Sequence, residues 1–65
     1  MTDPDWHPIA TAPFDRDLEL AVVEHGDAHA LVVRCRRLRH GWANAETGKP
    51  LDVNPTHWRD WREPA

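Results

Sequence analysis

Apolar and polar residues alternate along two neighbouring stretches of the chain. In Asp17-Leu18-Glu19-Leu20-Ala21-Val22-Val23-Glu24, the side chains of Leu18, Leu20 and Val22 recur at every second position. That period is the signature of a strand with one buried face. His29-Ala30-Leu31-Val32-Val33-Arg34-Cys35-Arg36 reads the same way. Between the two lies Gly26-Asp27, and a glycine at the first central position suits a two-residue type II′ hairpin turn.

That turn predicts a register. Leu18 faces Cys35, Leu20 faces Val33 and Val22 faces Leu31, all on one apolar face. On the other face Asp17 meets Arg36 and Glu19 meets Arg34. Opposite charges placed across strands each contribute roughly 0.2–1 kcal/mol. A slip of one residue would break both patterns together.

The pattern is weaker elsewhere. Thr47-Gly48 can turn a second hairpin that pairs Trp42 with Val53 and Asn44 with Leu51, with a longer irregular loop as the alternative. Pro50 has no amide donor, so its strand belongs at an edge or starts late. Residues 1–16 carry Pro4, Pro8 and Pro13 and no periodicity, which predicts an extended arm anchored by Trp6 and Ile9. In the tail, 54–65, Asn54-Pro55 reads as a turn. Thr56 then caps a short helical turn with Trp58 and Trp61 on one side at i, i+3. The expected fold is therefore all-β, with at most one short C-terminal helical turn. It is a small curved antiparallel sheet of roughly three to five strands, closing in part like an SH3-type barrel. The sheet is expected over 17–53 of a single domain, 1–65.

Length sharpens this picture. Sixty-five residues form one domain with a marginal core. Such scaffolds lean on disulfides, metals, partner subunits or dense aromatic packing. Cys35 is the only cysteine, so no intrachain disulfide forms, and the four tryptophans take over that role. A lone cysteine, an N-terminus without a basic and apolar leader, and no apolar run of membrane-spanning length together point to the cytoplasm.

The net charge of −3 divides unevenly, with −6 over residues 1–27 and +3 over 28–65. Two halves that pair with each other explain this better than a dedicated nucleic-acid binder, which is more often basic overall.

Two segments carry a resemblance. Trp6-His7-Pro8-Ile9-Ala10-Thr11-Ala12-Pro13 is similar to the W-x-P-I-x-T-A-P opening of small uncharacterised proteins of proteobacteria and their phages. Pro55-Thr56-His57-Trp58 is similar to the P-T-H-W near the end of the same proteins. This chain has Phe14-Asp15-Arg16 where that family often has a Lys-Asp-Gly turn. It has Arg59-Asp60-Trp61-Arg62 where the family often has a proline-rich ending. The resemblance implies a β hairpin between the motifs and a bacterial or prophage setting, and no chemistry.

Arg34, Arg36, Arg37 and Arg39 beside His40, with Trp42 to stack on a base, could contact RNA or DNA. The competing reading neutralises Arg34 and Arg36 with Glu19 and Asp17, and the overall charge favours it. His25 and His29 beside Glu24 and Asp27 could form a weak metal site, but no zinc-like spacing exists. Cys35 could serve as a nucleophile, yet the register places it on the apolar face, where a thiol is inert. Trp6, Trp58 and Trp61 are core candidates, and any ring left exposed becomes a partner contact, Trp61 first. The open sheet edge offers strand addition as a second contact mode.

The expected function is thus a protein-interaction or structural accessory module, with another protein or a second copy as its partner and without a cofactor. A nucleic-acid-binding module is the alternative, and an enzyme is the third reading.

Overall fold

The computed structural model describes residues 6–62, so the first five positions of the arm and the last three of the tail lie outside the described residues. Seven short strands follow one another: β1 (His7–Pro8), β2 (Leu18–Glu24), β3 (Asp27–Ala30), β4 (Cys35–Leu38), β5 (Gly41–Asn44), β6 (Pro50–Leu51) and β7 (His57–Asp60). One 3-10 turn, Ile9–Thr11, follows β1. The protein is all-β, one open antiparallel sheet in the order β1-β7-β2-β4-β5-β6, with β3 beside β2. More strands form than the expected three to five. Among the described residues the sheet path ends at β1 and β6, which do not pair, so the sheet is open rather than closed like an SH3-type barrel.

The arm and tail are part of the sheet. β7 lies between β1 and β2, pairing Leu18 with Asp60, Glu19 with Arg59, Leu20 with Trp58 and Ala21 with His57. The helical turn expected after Thr56 is therefore corrected to a strand. Its period-2 alternation outweighed a capping signal too short to sustain a helix. In a strand, residues three apart point to opposite faces, so Trp58 and Trp61 do not share a side.

The first hairpin is also corrected in detail. Its turn is His25-Gly26, with φ of 51° and 83°. Positive φ at both central residues marks a type I′ turn, whose twist matches the strands as well as type II′ does. Ala21 then pairs with Ala30, Val22 with His29, Val23 with Ala28 and Glu24 with Asp27. Leu31 donates its N–H to the Leu20 carbonyl at 2.9 Å. Yet Leu18 still faces Cys35, as the sequence predicts. Two residues of β2 thus oppose four of the returning chain, and the extra pair is absorbed in a bend at Val32-Val33. A two-residue excess keeps the period intact, so the apolar face survives the shift.

The second hairpin is displaced in the same sense. Trp42 pairs with Leu51 and Ala43 with Pro50, across a loop of Ala45–Gly48. The Asn44 side chain accepts the N–H groups of Glu46 and Thr47 and closes that loop. Pro50 lies on β6, at the sheet edge where a residue without an N–H is tolerated. Between the two hairpins, Arg39-His40 turns β4 into β5, with Leu38 opposite Gly41.

One sheet face carries the core. Leu18, Leu20 and Cys35 are fully buried, joined by Ala12 and Trp58, with Ile9, Leu31, Trp42, Leu51 and Val53 packed around them. Each large apolar side chain buried there contributes roughly 1.5–3 kcal/mol.

Candidate functional site

The β2–β3 hairpin leaves an edge open. Because Leu31 donates to Leu20, the residues of β3 with the same parity, His29 and Asp27, turn their backbone groups toward β2. Ala28 and Ala30 therefore turn theirs outward. All four residues of β3 are exposed. Beyond the bend the same edge is covered, since Ala45 on the β5 side donates its N–H to the Arg34 carbonyl at 2.8 Å. The open segment is short, bounded by the turn at one end and by Ala45 at the other.

Val32 sits at its end, 88% exposed, more than any other large apolar residue among those described. Proteins usually blunt such edges with lysine, proline or inward charges, and β3 carries no lysine or proline. On the core face beside the edge lies an apolar cavity of about 170 Å³, lined in part by Val22, His29, Leu31, Val53 and Pro55.

The arginines expected to bind nucleic acid divide: Arg34 and Arg36 converge on Asp17, while Arg37 and Arg39 lie apart from them. Arg36 donates its Nε–H to Asp17 Oδ1 at 2.9 Å. Arg34 reaches Asp17 Oδ2 at 3.6 Å and Glu46 Oε1 at 3.2 Å. The expected Glu19–Arg34 pair is corrected. Glu19 instead bonds Arg59, its direct neighbour on β7, at 2.5 Å, because β2 lies between β7 and β4 and Arg34 is taken by Asp17 and Glu46. Arg37 turns to the core side, where it donates to the Ala12 carbonyl and lies over the Phe14 ring. Arg39 is in the β4–β5 turn, and Trp42 packs half-buried against the core.

The tryptophans divide as well. Trp6, 8% exposed, lies under the Arg59 guanidinium at 4.2 Å. Trp58, 9% exposed, donates its Nε1–H to Thr11 Oγ1 at 3.0 Å and packs on the His7 ring. Both rings are enclosed within the molecule. Trp61, named as the exposed ring, is half-buried, and its Nε1 is buried with no hydrogen-bond partner. Among the described residues, no three His, Cys, Asp or Glu side chains converge to hold a metal, so His25, His29, Glu24 and Asp27 do not form one. Burial raises the Cys35 thiol from 9.0 to about 11, and its S–H lies 3.4 Å from the Val33 carbonyl. Such a thiol supplies little thiolate at neutral pH. Also among the described residues, no helix is long and apolar enough to cross a membrane.

No protein-family model, curated protein or solved structure matches the chain.

Sequence reasoning named an open edge without locating it. The available signal was Leu31-Val32-Val33, an apolar run that breaks the alternation and cannot all face one core.

Proposed function

We propose that the chain is a protein-interaction module whose contact is the outer edge of β3 together with Val32. The observation that carries this reading is the pairing of outward Ala28 and Ala30 backbone groups with the most exposed valine of the molecule. Main-chain hydrogen bonds to an edge supply affinity, and neighbouring apolar side chains supply selectivity. The paired arginines support this reading over the nucleic-acid one, because Arg34 and Arg36 already face carboxylates. The reading assigns no catalytic role and no cofactor. It places the protein in a reducing bacterial cytoplasm, the setting suited to a lone thiol and suggested by the two tryptophan motifs.

The test is a tagged pull-down from bacterial cells, with and without nuclease, comparing the native chain with Val32→Lys. A specific protein retained after nuclease and lost with Val32→Lys is the expected result. Recovery that vanishes with nuclease, or that Val32→Lys leaves unchanged, overturns the reading.

A further inference from the structure

The groups that β3 leaves open are self-complementary. Antiparallel strands pair residues in a fixed sum, and a two-fold axis through His29 places Ala28 opposite Ala30 of a second copy, and Ala30 opposite its Ala28. Both are the residues whose N–H and C=O point outward, so every open group on each strand gains a partner. Shifting the second copy two residues one way drives its His25-Gly26 turn into Ala45, which already occupies the edge beside Arg34. Shifting it two residues the other way sets Ala30 against Gly26, inside a turn whose φ of 83° is not extended. Only the register centred on His29 pairs both open residues of each β3 with open residues of the other β3.

Charge does not oppose this placement. The turn end of the edge carries Glu24 and Asp27, both exposed, and at the far end Arg34 and Arg36 are balanced by Asp17 and Glu46. Antiparallel order sets the acidic turn end of each copy against that balanced end, so the two acidic ends do not meet. Alanine at both paired positions lets the strands approach without steric conflict. The two apolar cavities, each lined by Leu31 and Val53, come to lie on the same face of one continuous sheet.

We infer that the occupant of the β3 edge is a second copy of this chain, joined sheet to sheet about a two-fold axis at His29. This inference rests on the edge reading proposed above and names its partner. A segment this short buries less than the ~1,200 Å² of a standard stable interface, so the dimer is weak and reversible. In this arrangement the two His29 side chains form a pair without hydrogen bonds between their backbones, with Cα atoms about 4.5 Å apart.

The axis position makes the test specific. Sedimentation equilibrium of the purified chain up to about 1 mM is expected to show a monomer–dimer equilibrium. His29→Lys places two ammonium groups across the axis, and His29→Glu places two carboxylates there, so each variant weakens association by up to about fivefold. Position 29 is exposed, and unchanged tryptophan circular dichroism shows that each variant remains folded. Mixing the two variants restores association as a mixed dimer. A native chain that stays monomeric at about 1 mM overturns the inference. So does a dimer that neither substitution weakens, or a mixture that fails to associate. A monomer that still captures a different protein through Val32 leaves the edge reading standing and removes only the second copy.

Discussion

His25 sits at φ 51°, a left-handed conformation that a side chain with a Cβ adopts only at a cost. Asparagine tolerates it best among non-glycine residues and is the preferred partner of glycine in a type I′ turn. His25→Asn is therefore expected to raise stability by roughly 0.5 kcal/mol in urea unfolding. Gly26→Ala tests the neighbouring position, where an added Cβ meets nothing within 4 Å, so the cost of φ 83° is purely one of backbone. That change is expected to lower stability by roughly 1–2 kcal/mol. Cys35 gives a second prediction at this scale. Its thiol is raised in the folded chain, so the unfolded chain releases its proton first as the solution becomes alkaline. The stability contributed by the buried thiol is full below pH 9.0, is lost progressively above it, and is gone by about pH 11. The chain contains no tyrosine, so one usual source of titration in that window is missing. Unfolding free energies measured from pH 8 to 11 are expected to fall for the native chain and to fall less for Cys35→Ala. Equal slopes would remove the thiol as the cause.

At the scale of elements, the bend at Val32-Val33 accounts for most of the difference between the pattern in the sequence and the sheet that forms. Leu20 and Leu31 share one register, Leu18 and Cys35 another, and the two differ by the bend alone. Deleting both Val32 and Val33 makes the registers identical. Every inward side chain stays inward, and the shortened chain is expected to fold, with the same tryptophan circular dichroism. Deleting Val32 alone reverses the faces of the following strand, sending Cys35 to solvent and Arg36 inward. That variant is expected to lose the cooperative unfolding transition. If single and double deletions behave alike, the bend is not what separates the registers. The same comparison explains what was legible. Alternation fixed which residues share a face, because Leu18, Leu20 and Cys35 are inward under either register. It could not fix the turn, since Gly26-Asp27 and His25-Gly26 both satisfy known turn chemistry. The tail is ambiguous in the sequence because Trp58 and Trp61 fit a helical spacing as well as Trp58 and Asp60 fit a strand. Only the long-range partner Glu19, waiting beside Arg59, decides between them. The Asp17–Arg36 pair was legible in the sequence, but the partner of Glu19 was not, because it depends on β7 lying between β1 and β2.

For the whole molecule, the two ends of the chain hold each other. β1 pairs with β7, Ile9 donates its N–H to the Thr56 carbonyl at 3.0 Å, and the Val23 N–H finds the Thr56 hydroxyl at 2.8 Å. At the centre of this junction Thr11 Oγ1 accepts from Trp58 Nε1 at 3.0 Å and donates to the Pro8 carbonyl at 2.7 Å. One hydroxyl therefore ties the 3-10 turn to the ring that closes the core. Thr11→Val keeps the shape but leaves the indole N–H without its acceptor, an expected loss of roughly 1–3 kcal/mol. Trp58→Phe removes the donor and some apolar area together, and its cost is set mainly by the space left behind. In the double variant neither group remains to be left unpaired. If the arm is held to the tail by this bond, the two losses sum to more than the double variant loses, by roughly 0.5–3 kcal/mol in a double-mutant cycle. Strict additivity would mean that the arm covers the core through Ile9 and Ala12 alone, with the hydroxyl free to turn to water. The cycle thus separates directional attachment of the arm from apolar packing, a distinction that total stability cannot make in a core this small.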